Sequence, residues 1–118
     1  MFAHMESLSN ATTSMINGVD IHHESMGDDS SPCVLICNGL AMTMSYTGGF
    51  AERFVDMGFR VIRYDSRDTG LSHKSDAEWP NPPEINPTNV VVPDFCAYDM
   101  ETLAADALGV LDHYGVSK

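Results

Sequence analysis

The sequence predicts an α/β fold, a mostly parallel sheet with helices on both faces, and three observations carry that prediction. Cys33-Val34-Leu35-Ile36-Cys37 is apolar without alternation, the pattern of a strand buried on both sides. A helical pattern and a second strand, Phe59 to Tyr64, follow it with the spacing of a strand-helix-strand unit, whose crossover should be right-handed. Ahead of both, Asn17-Gly18 stands between two short strand-like runs, the strongest local signal for a β-hairpin.

In chain order, residues 1–12 are polar and aperiodic and read as a flexible tail, with 13–118 forming one domain portion. Thr13 to Ile16 and Val19 to Glu24 are the hairpin strands, and both turn residues must take positive φ. Gly27 to Pro32 is a loop. The Cys33–Cys37 strand ends at Asn38-Gly39. Phe50, Phe54 and Val55 then share one side of a helix that stops at Gly58. The next strand ends at Asp65. Residues 73–98 hold five of the six prolines and almost no periodicity, which predicts a long irregular loop. Asp99 reads as an N-cap. Behind it Met100, Leu103, Ala104, Ala107, Leu108 and Leu111 form an apolar stripe, with Glu101, Asp106 and Asp112 opposite and Gly115 as the stop.

Composition narrows the function classes. Seventeen acidic residues against six basic ones give a net charge of −11, which argues against nucleic-acid and anionic-membrane partners. Apolar runs fall well short of the ~20 residues of a membrane helix. Met1 to Asn10 shows no basic segment followed by an apolar stretch, so no secretory signal is expected and a cytoplasmic location is. Cys33 and Cys37 would lie about 13 Å apart along a strand, too far for a disulfide or a shared metal. With Cys96 they read as reduced, small apolar residues. His22 and His23 are neighbours in a strand and point to opposite faces. No metal site and no cofactor are expected.

Two stretches carry chemistry. Val34 to Leu40 is a strand running into a glycine loop, and Arg60 to Ser72 is a strand running into Asp65-Ser66-Arg67-Asp68-Thr69-Gly70-Leu71-Ser72. With the hairpin before them and the Ala-Ala-Asp-Ala-Leu-Gly-Val-Leu-Asp helix after them, they resemble the α/β-hydrolase family. The resemblance is to its esterase and iminopeptidase-like branch and covers about residues 15–118. It implies a partial α/β-hydrolase fold cut before the nucleophile strand, and ester or amide hydrolysis through a serine and an acyl-enzyme. It also implies that the Leu40 backbone N–H donates to the oxyanion hole, with Asn38 and Gly39 shaping the loop. A main-chain amide serves that purpose whatever its side chain. Asn38 departs from the usual histidine.

The nucleophile elbow is not in this sequence. Gly70-Leu71-Ser72-His73-Lys74 lacks the second glycine of Gly-x-Ser-x-Gly and follows the wrong strand. Adjacent Ser72 and His73 seldom align Oγ with an imidazole nitrogen. Asp65 and Asp68 are three residues apart, not the two of an aspartate-nucleophile pair. They read instead with Arg67, Gly70 and Ser72 as a structural turn held by amide hydrogen bonds and an ion pair. The chain alone is therefore expected to be inactive, its partner in the intact family being a small ester or amide. The alternative is a non-catalytic binding or complementation module on the same half-fold. The 33–37 strand carries no charge or proline to blunt an edge, so self-association through it is expected.

Overall fold

The computed structural model describes residues 10–39, 42–75 and 98–117. Strand β1, Thr12–Ile16, turns through Asn17 and Gly18 into β2, Val19–Met26. Both turn residues have positive φ, 50° and 80°, as a type I′ turn requires, and the pair Ile16↔Val19 closes the hairpin. β1 begins one residue inside the segment read as tail, because Thr12 pairs with His23.

Strand β3, Cys33–Ile36, and strand β4, Arg60–Tyr64, flank helix α1, Gly48–Asp56, which is entered through a 3-10 turn, Met44–Thr47. Helix α2, Met100–His113, completes the described residues, apart from a short tail to Ser117. Asp99 caps α2 through its side chain, accepting from the Thr102 N–H at 2.8 Å. The sheet order is β1-β2-β4-β3, and the sheet is mixed: β3 and β4 run parallel, while the two pairs on the hairpin side are antiparallel. The expected loop at 73–98 lies largely outside the described residues, as does Cys96.

The helices cover opposite faces. Ile16, Ile21, Ile62 and Tyr64 meet Val110 of α2, and Val61 and Ile36 meet Ala51 of α1. Lying second from the edge and covered on both sides, β4 is buried at all five positions.

The seating of α2 differs from the apolar stripe. Leu108 is 62% exposed and Met100 77%, whereas Asp106 is 1% exposed beside Val110. The helix is rotated toward Asp106 because polar partners on other elements meet that carboxylate, a gain the spacing of apolar residues does not register.

His23 is the other buried polar group on the α2 face. It is fully buried, with Nδ1 2.5 Å from the Tyr114 hydroxyl and Nε2 2.8 Å from Ser14 Oγ, and its ring abuts His113. Burial, then the nearby His113 and His22 charges, lower its pKa to about 4. The unfolded chain takes up that proton near pH 6.5 and the folded chain only near 4. Between those values the unfolded state binds more protons, so stability falls as pH falls. A loss of about 2 kcal/mol is expected between pH 7.5 and 4.5, discounted from the full shift for partial solvation. Urea midpoints across that range check it; a His23→Gln chain with the same fall as the parent would remove His23 as the cause.

Candidate functional site at the ends of β3 and β4

In an open α/β sheet, crevices form beyond the carboxyl ends of parallel strands, where loops leave in different directions. Here the C-terminal ends of β3 and β4 border a cavity of about 250 Å³ lined by Asn38, Gly39, Ser66, Arg67, Thr69, Tyr98 and Leu103. Three segments meet at it: the loop after β3, the turn after β4, and the start of α2.

The loop after β3 is held by the end of β4. Asn38 donates from Nδ2 to the Tyr64 carbonyl at 3.0 Å, fixing the point where the strand stops. The backbone N–H of Met44 donates to Asp65 Oδ1 at 2.7 Å, and the Met44 carbonyl accepts from Arg63 at 2.8 Å. Both main-chain groups of one residue are thus held by side chains of β4 and its exit. Leu40, the residue expected to supply an oxyanion donor, lies outside the described residues.

The turn after β4 is organised by Asp65, which is 3% exposed. Its second carboxylate oxygen accepts from the Leu71 N–H at 3.0 Å, so one side chain joins both loops. Gly70 has φ +55°, and a Cβ there would collide with the Asp65 carboxylate, so the position takes no side chain. Ser72 is also buried: its Oγ donates to the Asp65 carbonyl at 2.5 Å and accepts from the His22 N–H at 2.9 Å. Its hydroxyl is spent on backbone, which leaves no free nucleophile there. Asp68, at φ +64°, accepts from the Ser75 N–H.

Arg67 does not pair inside the turn. Its Nε and one terminal nitrogen each donate at 2.8 Å to Asp106 of α2, a bidentate bridge, and Asn17 Nδ2 donates to the same carboxylate at 2.8 Å. The Asp106 carboxylate holds the guanidinium more firmly protonated than usual. The Arg67 guanidinium lies over the Tyr98 ring, 5.4 Å from its centroid. Burial, then the Asp68 carboxylate, push the Tyr98 hydroxyl above its ordinary pKa. Asp106 and Tyr98 were not among the residues that sequence reasoning placed here. The available signal was an aspartate at the spacing of Leu103, Ala107 and Val110, on the face of a helix that packs inward.

Among the described residues no group of three or more His, Cys, Asp or Glu could hold a metal ion, and no helix is long and apolar enough to cross a membrane.

Comparisons with known proteins bear on this geometry. The model of the acyl transferase family matches residues 10–80. Rhodomycin D methylesterase DnrP of Streptomyces peucetius is 37% identical over 99 residues, covering 83% of this chain and 28% of the methylesterase. The methylesterase DauP of Streptomyces sp. strain C5 is 35% identical over the same shares. Among solved structures, epoxide hydrolase A of Mycobacterium thermoresistibile superposes with a TM-score of 0.71 at 25% identity, covering 92% of this chain and 28% of that one. The enol-lactonase of Burkholderia xenovorans LB400 superposes with a TM-score of 0.62 at 25% identity, covering 86% and 32%. The chain thus spans under a third of the length of the relatives it matches.

Proposed function

We propose that this chain, which belongs to the α/β-hydrolase family as an N-terminal part of its fold and matches the acyl transferase family model over residues 10–80, supplies the oxyanion side of a serine-hydrolase site for ester bonds. The observation that carries this reading is the cavity at the ends of β3 and β4, bordered by Asn38 and Gly39. The Leu40 N–H would donate to the oxygen that becomes negative during attack on the ester carbonyl, and the serine would come from a Gly-x-Ser-x-Gly segment not in this sequence. The likeness to two methylesterases favours esters of small alcohols over other acyl compounds.

Grafting tests this. When this chain replaces the matching segment of the Streptomyces peucetius methylesterase, the chimera should hydrolyse methyl esters. Gly39→Val should lower kcat at least tenfold by crowding the loop. A folded chimera that takes no ester would sink the reading. The 118-residue chain alone should hydrolyse short acyl esters no faster than its Ser72→Ala variant; stoichiometric fluorophosphonate labelling of Ser72 would contradict that.

A second reading, a module that binds through its open strand, is favoured by one observation. Among the described residues β3 pairs with β4 alone, and beside it runs a groove of about 530 Å³ lined by Cys33, Leu35, Leu108, Leu111 and Val116. A second copy of the chain would be the occupant. Since the net charge of −11 opposes association, sedimentation should show dimers growing with salt and abolished by Leu35→Lys. A monomer at every salt concentration would remove this reading.

A further inference from the structure

We propose that Asn17 is a site of spontaneous deamidation, and that turning its amide into a carboxylate disturbs the wall of the cavity through Asp106. Asn17 and Gly18 are both exposed at the hairpin tip, and nothing lies within 4 Å of where a Gly18 side chain would be. The tip of the turn is therefore open to water on the Gly18 side. In the reaction the backbone nitrogen of Gly18 loses its proton and attacks Asn17 Cγ; the N–Cγ bond forms, the Cγ–Nδ2 bond breaks, and ammonia leaves. Water then opens the cyclic imide at either carbonyl, leaving aspartate or a β-linked aspartyl residue. Water is the sole co-reactant.

The consequence is set by what the amide touches. Asn17 Nδ2 donates at 2.8 Å to Asp106 Oδ1, and Asp106 is otherwise held by two bonds from Arg67. Asp106 is 1% exposed, so water cannot screen a second carboxylate brought against it. After deamidation two acids would share one guanidinium. One must take up a proton or the helix must move, as with any two carboxylates in one site. The β-linked product also adds a backbone atom to a two-residue turn whose geometry sets the strand register. Arg67 lines the cavity, and Leu103, one turn before Asp106 on α2, lines it too. A chemical event at an exposed tip thus reaches the cavity wall.

The chain carries an internal comparison. Asn38-Gly39 has the same sequence chemistry, but Asn38 is partly buried and its amide donates to a backbone carbonyl, not to a carboxylate.

The experiment incubates the purified chain at mildly alkaline pH and maps both sites by peptide mass spectrometry. Urea midpoints and the Arg67 Nε–H resonance are followed in parallel. Asn17 should convert ahead of Asn38, and Asp106→Asn should speed its conversion by loosening the amide. Asn17→Asp should lower the midpoint and move the Arg67 resonance. Asn17→Gly, which keeps the turn and removes the bond without adding charge, should do so less. Combining Asn17→Asp with Asp106→Asn, which exchanges acid and amide, should recover most of the loss. Preferential conversion of Asn38, or Asn17→Asp with the parent's midpoint and Arg67 resonance, would overturn the proposal. If Asn17→Asp does not fold while the combined variant does, the charge clash is supported; if neither folds, the proposal fails.

Discussion

Arg63→Met is expected to destabilise the chain by about 3–5 kcal/mol, a large share of the roughly 5–15 kcal/mol that holds a domain of ordinary stability together. Arg63 and Glu24 face each other across the β2–β4 pair, both fully buried, 3.4 Å apart. Burial raises the pKa of Glu24 and the neighbouring guanidinium opposes that rise. Removing Arg63 takes away the largest influence that offsets the cost of burying the Glu24 carboxylate. The Met44 carbonyl loses its donor as well.

The sign of the pH response separates this cause from lost packing. In Arg63→Met the folded-state pKa of Glu24 stands above its unfolded value. The variant should regain stability as pH falls through that raised pKa towards 4.5, where the unfolded carboxyl also becomes neutral. A second change, Glu24→Leu in the Arg63→Met background, should recover most of the loss, because a buried ion pair replaced by apolar groups of similar volume is often neutral or better. Urea denaturation of the single and double variants decides it. A single variant as stable as the parent would mean that water reaches Glu24.

What was legible in the sequence follows from how local each cause is. The hairpin was readable because a type I′ turn constrains only Asn17 and Gly18, and the start of α2 because Asp99 and Thr102 are three residues apart. β3 was readable as a strand from its unbroken apolar run, but not its place: among the described residues it lies at the sheet edge with only Ile36 buried, while β4, buried at all five positions, carries Arg60 and Arg63. The rotation of α2 was not, since it depends on Arg67, which lies 39 positions before Asp106. Arg63 and Glu24 are equally far apart, and each reads alone as a polar strand position. The loop end at Asn38-Gly39 was visible as a strand terminator, whereas the hold on Met44 was hidden because main-chain groups leave no trace in residue identity. Tyr98 reaches the cavity from the far end of the proline-rich segment, and no spacing rule spans that distance.

The second large effect is expected at Asp65, and it should be local first and global second. Asp65→Ala removes the acceptor for two backbone amides, Met44 at 2.7 Å and Leu71 at 3.0 Å, from a side chain almost wholly out of water. Hydrogen bonds to a charged acceptor contribute about 1.5–3 kcal/mol each, and an amide left unpaired when buried loses its hydration too. Because the two losses share one anchor and partly relax together, about 3 kcal/mol is expected rather than their sum. Asp65→Asn should recover only part of it, since an amide offers one acceptor oxygen and turns N–H groups towards one of the donors. Hydrogen exchange distinguishes this from general destabilisation: in Asp65→Asn the Met44 and Leu71 amides should lose protection well before those of β2 and β4. Gly70→Ala provides an independent route, because its added carbon presses on the same carboxylate and should expose the same two amides. If protection is lost evenly across the sheet in both variants, Asp65 stabilises the fold without holding the two loops together. The cavity they border would then owe its shape to Asn38, Arg63 and Asp106 instead.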